Sequence, residues 1–244
     1  MVFRLLTPIL VVTLLWTPCF GASDRYAHQR HYQQIFSAAT SFDSELQRAI
    51  ISYPDDIAII LNAALATEPD RTNDIALIAI QIAPWLAEQI VNTIVGVLPH
   101  LATEIVTLAV NASPENADRI VKGAISAVLD PAYMVGDIIR AAIIAQPGQT
   151  GQIVAGAIAA NRDEDYVRNV IAAAVTAAPE LTTQIEQQAI AQNIDPQVVT
   201  QASAAGHMPA SPSQGEQDPA HDDILAPVQV PGGGDGGGVV VSGS

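Results

Sequence analysis

Cysteine is almost missing from this 244-residue chain, and the one present, Cys19, sits inside an apolar N-terminal stretch. Met1 to Ala22 reads MVFRLLTPILVVTLLWTPCFGA: Arg4 precedes an apolar run from Leu5 to Trp16, and the small residues Gly21 and Ala22 follow. That order is the one a secretory signal has, and the run is shorter than the about 20 residues a membrane span needs. Residues 1–22 are therefore expected to act as a signal peptide, cleaved near Gly21 or Ala22, with an exported product in the periplasm, on the cell surface or outside. Trp16, Thr17 and Pro18 do not form the small-residue pattern that would make Cys19 a lipid attachment site. Once the segment leaves, Cys19 leaves with it, and disulfides and thiol chemistry are excluded.

Positive charge is also scarce. Ten Lys and Arg stand against 25 Asp and Glu, a net charge of −15. Such a surface repels phosphate backbones, which excludes a nucleic-acid partner and favours basic or cation-bridged ones. Aromatic residues make up only 5% of the chain, yet 49% of residues are hydrophobic, too many for a solvated random chain. The core must be built from Ala, Ile, Val and Leu. Beyond the first 22 residues no long apolar run survives inspection: the charge-free stretch from Ala141 to Asn161 carries Gln146, Pro147, Gly148, Gln149, Thr150, Gly151 and Gln152 in its middle, which reads as a turn and not as a membrane span. The chemical signatures are missing too. There is no GxSxG elbow, and the Gly-rich C-terminus has neither a Lys nor a following helix with which to cradle a phosphate. No catalytic residue, metal ligand or cofactor is expected, and the chain is read as a non-enzyme.

What is present is punctuation. Prolines fall at 54, 69, 84, 99, 114, 131, 147, 179 and 196, at intervals of 15, 15, 15, 15, 17, 16, 32 and 17. Asn161-Arg162-Asp163 stands where the double interval would hold its missing proline. Between these marks apolar pairs recur four residues apart, as in Ile90-Val91 then Ile94-Val95, Ile105-Val106 then Ala109-Val110, and Ile120-Val121 then Ala124-Ile125. Pairs at that spacing lie one turn apart on one helical face, so each unit is predicted to be a helix of about 11 to 13 residues. Proline fits the first helical position, where its missing N–H is no loss, with Ser113, Asp130 and Asp195 as candidate N-caps. Asp55, Asp56, Asp70, Glu115 and Glu180 follow prolines where the helix dipole favours a carboxylate.

From Trp85 to Leu98 the polar residues are only Glu88, Gln89, Asn92 and Thr93, so the helix must be covered on two sides. Short helices packed as antiparallel hairpins, hairpin on hairpin, achieve that. The fold class predicted is all-α: an α-solenoid or helical-repeat array of short antiparallel helices. Residues 23–40 serve as a polar N-terminal cap helix, 41–202 as the repeat domain and 203–244 as a disordered Pro/Gly-rich tail. His28 and His31, three apart, read as solvated residues of the cap helix in the absence of a third ligand, and His100 as a surface residue of a first turn. Asn161, Asp163 and Asp165 alternate as calcium ligands do, but Tyr166 and Ala172 occupy positions needing Gly and a carboxylate, which leaves helix capping.

The repeating unit, as in Ala178-Pro179-Glu180 after Ala173-Ala174-Val175, resembles the Ala/Val-rich short-helix repeats of exported bacterial proteins without assigned activity. The resemblance runs over about Ser41 to Gln201 and implies fold and compartment. The Trp, Leu-Gly and Tyr signature of tetratricopeptide repeats is absent. The functional expectation is an exported scaffold for protein binding or surface assembly, with self-assembly into a structural matrix or lipid binding as alternatives. The terminal triplet Val239, Val240 and Val241 is the candidate partner-binding element, able to add as a strand to an exposed sheet edge.

Overall fold

The computed structural model describes residues 22–128 and 131–207, so the residues before Ala22, Asp130 and the triplet Val239, Val240 and Val241 lie outside them. Twelve α-helices follow one another in the described residues, without a strand. They are α1 Ala22–Ala38, α2 Phe42–Ser52, α3 Ile57–Thr67, α4 Thr72–Ile82, α5 Ala87–Val97, α6 Ala102–Ala112, α7 Ala117–Ala127, α8 Pro131–Ala145, α9 Thr150–Ala160, α10 Glu164–Ala177, α11 Thr182–Ala191 and α12 Pro196–Gly206.

The proline period has a simple origin. Pro54, Pro69, Pro84, Pro99, Pro114, Pro147 and Pro179 each open a three-residue 3₁₀ turn that runs directly into the next α-helix. The residue before each of these prolines is barred from the α region by the pyrrolidine ring. It takes φ between −129° and −146° with ψ between 62° and 81°. This single corner residue still closes both elements. Ala83, for example, donates its N–H to the Ala79 carbonyl at 2.9 Å while its own carbonyl accepts from Leu86 N–H at 2.9 Å. Ser113 is such a corner and makes no side-chain cap; its hydroxyl bonds Glu115 instead. Where the proline is missing, Asp163 caps α10 by accepting from the N–H groups of Asp165 and Tyr166; α12 keeps its proline, Pro196, and is capped by Asp195 through Gln197 N–H.

Successive helices turn through 111° and 112° at the Tyr53 and Ala83 corners, so the hairpins are splayed. Each helix packs most extensively on the helix two places along: α5 on α7, α7 on α9, α8 on α10, α10 on α12. Odd helices thus form one layer and even helices the other, and the repeat is a helix pair. Within an eleven-residue helix the first, fourth, fifth, eighth and ninth positions are buried, as Ala87, Ile90, Val91, Ile94 and Val95 in α5 and Ala102, Ile105, Val106, Ala109 and Val110 in α6. One apolar core runs from Tyr32 in α1 to Ala202 in α12. Where Thr replaces the buried first-position Ala, its hydroxyl donates to the proline carbonyl three residues back: Thr72 to Pro69 at 2.8 Å and Thr150 to Pro147 at 2.7 Å.

The centre of the Ala141 to Asn161 stretch is the turn expected there, formed by Pro147–Gln149. No single helix among the described residues is long and apolar enough to cross a membrane. The boundary placed at 202 is too early. Helix α12 runs to Gly206, with Ser203 and Gly206 buried, because small residues let it lie close on α10: a Cβ on Gly206 would stand 2.7 Å from the Ala172 carbonyl oxygen.

Candidate functional site

The two layers do not stack evenly, and the unevenness makes the surface features. At the seventh position of the odd helices stand Ala63, Thr93, Gly123, Gly156 and Gln188. The two glycines lie against the backbone of the preceding odd helix: a Cβ on Gly123 would stand 2.4 Å from the Glu88 carbonyl oxygen, and one on Gly156 2.1 Å from that of Asp118. Helices α5, α7 and α9 are therefore drawn tightly together, and Asn92 Nδ2 donates to the Gly123 carbonyl at 3.2 Å. Gln188 keeps α11 further from α9. The notch left beside it, about 490 Å³, is lined by Glu115, Asp118, Gln149, Gln152, Gln184 and Gln188, with Gly148, Gly151 and Ala155. The Glu115 carboxylate is held below the usual carboxylate range, first by the Ser113 hydroxyl at 2.7 Å and also by its own N–H and by Asn116 Nδ2.

On the even layer the gap falls between α4 and α6. A groove of about 720 Å³ is lined by Leu77, Leu108 and Ala112 on its floor side and by Asn73, Thr103, Glu104, Thr107 and Asn111. Asn73 Nδ2 donates to Glu104 Oε1 across it, and Gln146 Nε2 donates to Asn111 Oδ1 at 3.1 Å from the neighbouring unit. A third and smaller notch lies at the start of α5, where Trp85, Leu86, Glu88, Gln89 and Arg119 surround about 310 Å³.

No family model, curated protein or solved structure matches this chain.

The histidines singled out in the sequence stay apart. His28 and His31 are exposed on α1, His100 is exposed in the turn before α6, and His207 Nε2 lies 3.2 Å from Thr182 Oγ1. Among the described residues no group of three or more His, Cys, Asp or Glu converges to hold a metal. The Asn161 to Asp165 segment is a capping loop, with Asn161 Oδ1 accepting from Asp163 N–H at 2.9 Å. The two buried tyrosines are tied to structure. Tyr32 OH donates to Asp56 Oδ2 at 3.3 Å, and its phenol is pushed up to about 12, first by burial and then by the Asp56 charge. Tyr166 OH donates to the Ala157 carbonyl at 3.2 Å, and burial raises its pKa further still.

Sequence reasoning placed its one binding candidate on Val239, Val240 and Val241, outside the described residues, and missed both the groove and Trp85. Groove residues such as Leu77 and Leu108 are half-buried apolar residues of a periodic helix, and periodicity does not separate them from the core. Trp85 did carry a signal. The middle residues of the other turns into the odd layer are Asp55, Glu115, Gly148 and Glu180.

Proposed function

We propose that this chain is an exported, non-enzymatic helical-repeat scaffold that binds a protein partner along its even layer. The observation that carries this reading is the groove between α4 and α6: it is wide, open and floored by Leu77, Leu108 and Ala112, with amide and carboxylate groups at its rim. Apolar floors with polar rims are the composition of protein-binding surfaces, and stacked helices present them repeatedly. The excess of acid over base in the chain favours a partner segment that carries Lys or Arg beside its apolar residues. The N-terminal apolar segment with Arg4 ahead of it supports export.

Cross-linking from a photoreactive residue at position 111 tests this in the producing cell. A discrete adduct that disappears in Leu108→Glu, while circular dichroism and the thermal transition are retained, is the expected outcome. Loss of the adduct in favour of a cross-linked dimer of the chain, together with a doubled mass by light scattering, would replace the partner by self-assembly. No adduct at all would sink the reading.

A further inference from the structure

Trp85 stands in the middle of the Pro84–Leu86 turn with 61% of its surface in solvent. The turn does not require it, since Asp, Glu or Gly serves at the same position in the other turns into the odd layer. The core does not require it either, because the neighbouring Leu86 is the residue packed inward. An indole left in water without a structural task is a candidate contact for a ligand.

Its surroundings define the ligand. Glu88, Gln89 and Arg119 complete the notch, and Leu86 is its only other apolar lining residue. Arg119 is held in place, its Nη1 donating to the Trp85 carbonyl at 3.3 Å. Glu88 is paired with Lys122, the single lysine of the chain, at 2.9 Å. Glu115, in the turn before α7, and Asp118, in its first turn, line the other notch, towards α9 and α11. With the Glu88 charge offset by Lys122, Arg119 leaves this notch one positive charge, on a chain whose net charge is −15.

A protein hot spot would need apolar neighbours that exclude water around the indole, and the neighbours are polar. A pyranose ring needs the opposite: one flat aromatic face for its C–H groups, with donors and acceptors around the rim. An indole face is electron-rich and complements polarised C–H groups, and a guanidinium fork matches a carboxylate or sulphate in two parallel hydrogen bonds. The notch, about 310 Å³, lies at the small end of the roughly 300–1,000 Å³ of small-molecule sites.

We propose that this notch binds an acidic saccharide, with a pyranose stacked on Trp85, its hydroxyls bonded to Gln89 and Glu88, and its anionic group held by Arg119. The site lies on the odd layer and is independent of the groove between α4 and α6.

Trp85 and Trp16 are the only tryptophans, so a Trp16→Phe chain reports fluorescence from the notch alone. Titration with trigalacturonate, a sulphated disaccharide and maltotriose separates carboxylate, sulphate and neutral sugars. The expected result is a saturable change in emission with one or both acidic sugars, weakened by salt. Arg119→Gln then lowers that affinity about tenfold, the size of one charge-assisted hydrogen bond. Trp85→Ala, followed by calorimetry, abolishes binding, while Arg140→Gln, which breaks an ion pair with Asp137 on α8, leaves it unchanged. Circular dichroism checks that each variant folds; both lining positions are solvent-exposed. Equal binding of maltotriose, binding that survives Trp85→Ala, or no saturable change with either acidic sugar would overturn the proposal.

Discussion

At the scale of single residues, the polar groups of the described core are few and nearly all satisfied. The hydroxyls of Thr72 and Thr150 return to a proline carbonyl, Tyr166 reaches the Ala157 carbonyl, and only Ser203 Oγ is buried without a partner among the described residues. The tyrosines give the molecule a pH dependence on its alkaline side. Both phenols are raised in the folded state above the value of 10.0 they have in an unfolded chain. Below that value both states hold the proton and stability is unaffected. As pH rises past it, the unfolded chain ionises first, binds fewer protons than the folded one, and is favoured. Urea midpoints are therefore expected to stay level from neutral pH to about 9 and to fall above about 10. The double variant Tyr32→Phe, Tyr166→Phe should show a shallower fall; an unchanged slope would assign the loss to other groups.

At the scale of the helix, spacing does most of the work. The apolar pairs four residues apart and the prolines every fifteen made the elements and their burial pattern legible, because a helix of eleven residues, a turn of three and one corner residue repeat without exception from Pro54 to Asn116. Sequence reasoning could not reach the spacing between helices, which is decided by which helix lies beside a given residue. Gly123 and Gly156 look like weak points of a helix until α5 and α7 are placed against them. Gly123→Ala and Gly156→Ala are each expected to cost about 1–3 kcal/mol, as overpacking against a neighbouring backbone does. Gly96, with open space around it, should gain from the same change, since alanine is the better helix former. Thermal melts of the three variants compare them directly. The same dependence on neighbours hid the groove between α4 and α6, whose residues are ordinary members of an amphipathic pattern.

At the scale of the whole array, each helix pair touches its neighbours and little else, so stability is distributed along the stack. The closest packing links α5, α7 and α9 through the two glycines, while Gln188 holds α11 away from α9. Native-state hydrogen exchange should find its slowest amides in α5, α7 and α9 and faster ones in α11. Slowest exchange in α11 would contradict this account of the packing.

The corner residue before each proline also constrains how such a molecule can change in length. Because one residue ends a helix and starts the next from Pro54 to Asn116, no loop in that stretch can absorb an odd number of units, and every helix belongs to the layer opposite its predecessor. Insertion of one unit would send every later helix to the wrong side, turning floor residues outward and exchanging the groove's face for that of Trp85. Growth or loss is tolerated only in pairs, about thirty residues at a time, so parity, more than total length, is what descent of this chain must preserve.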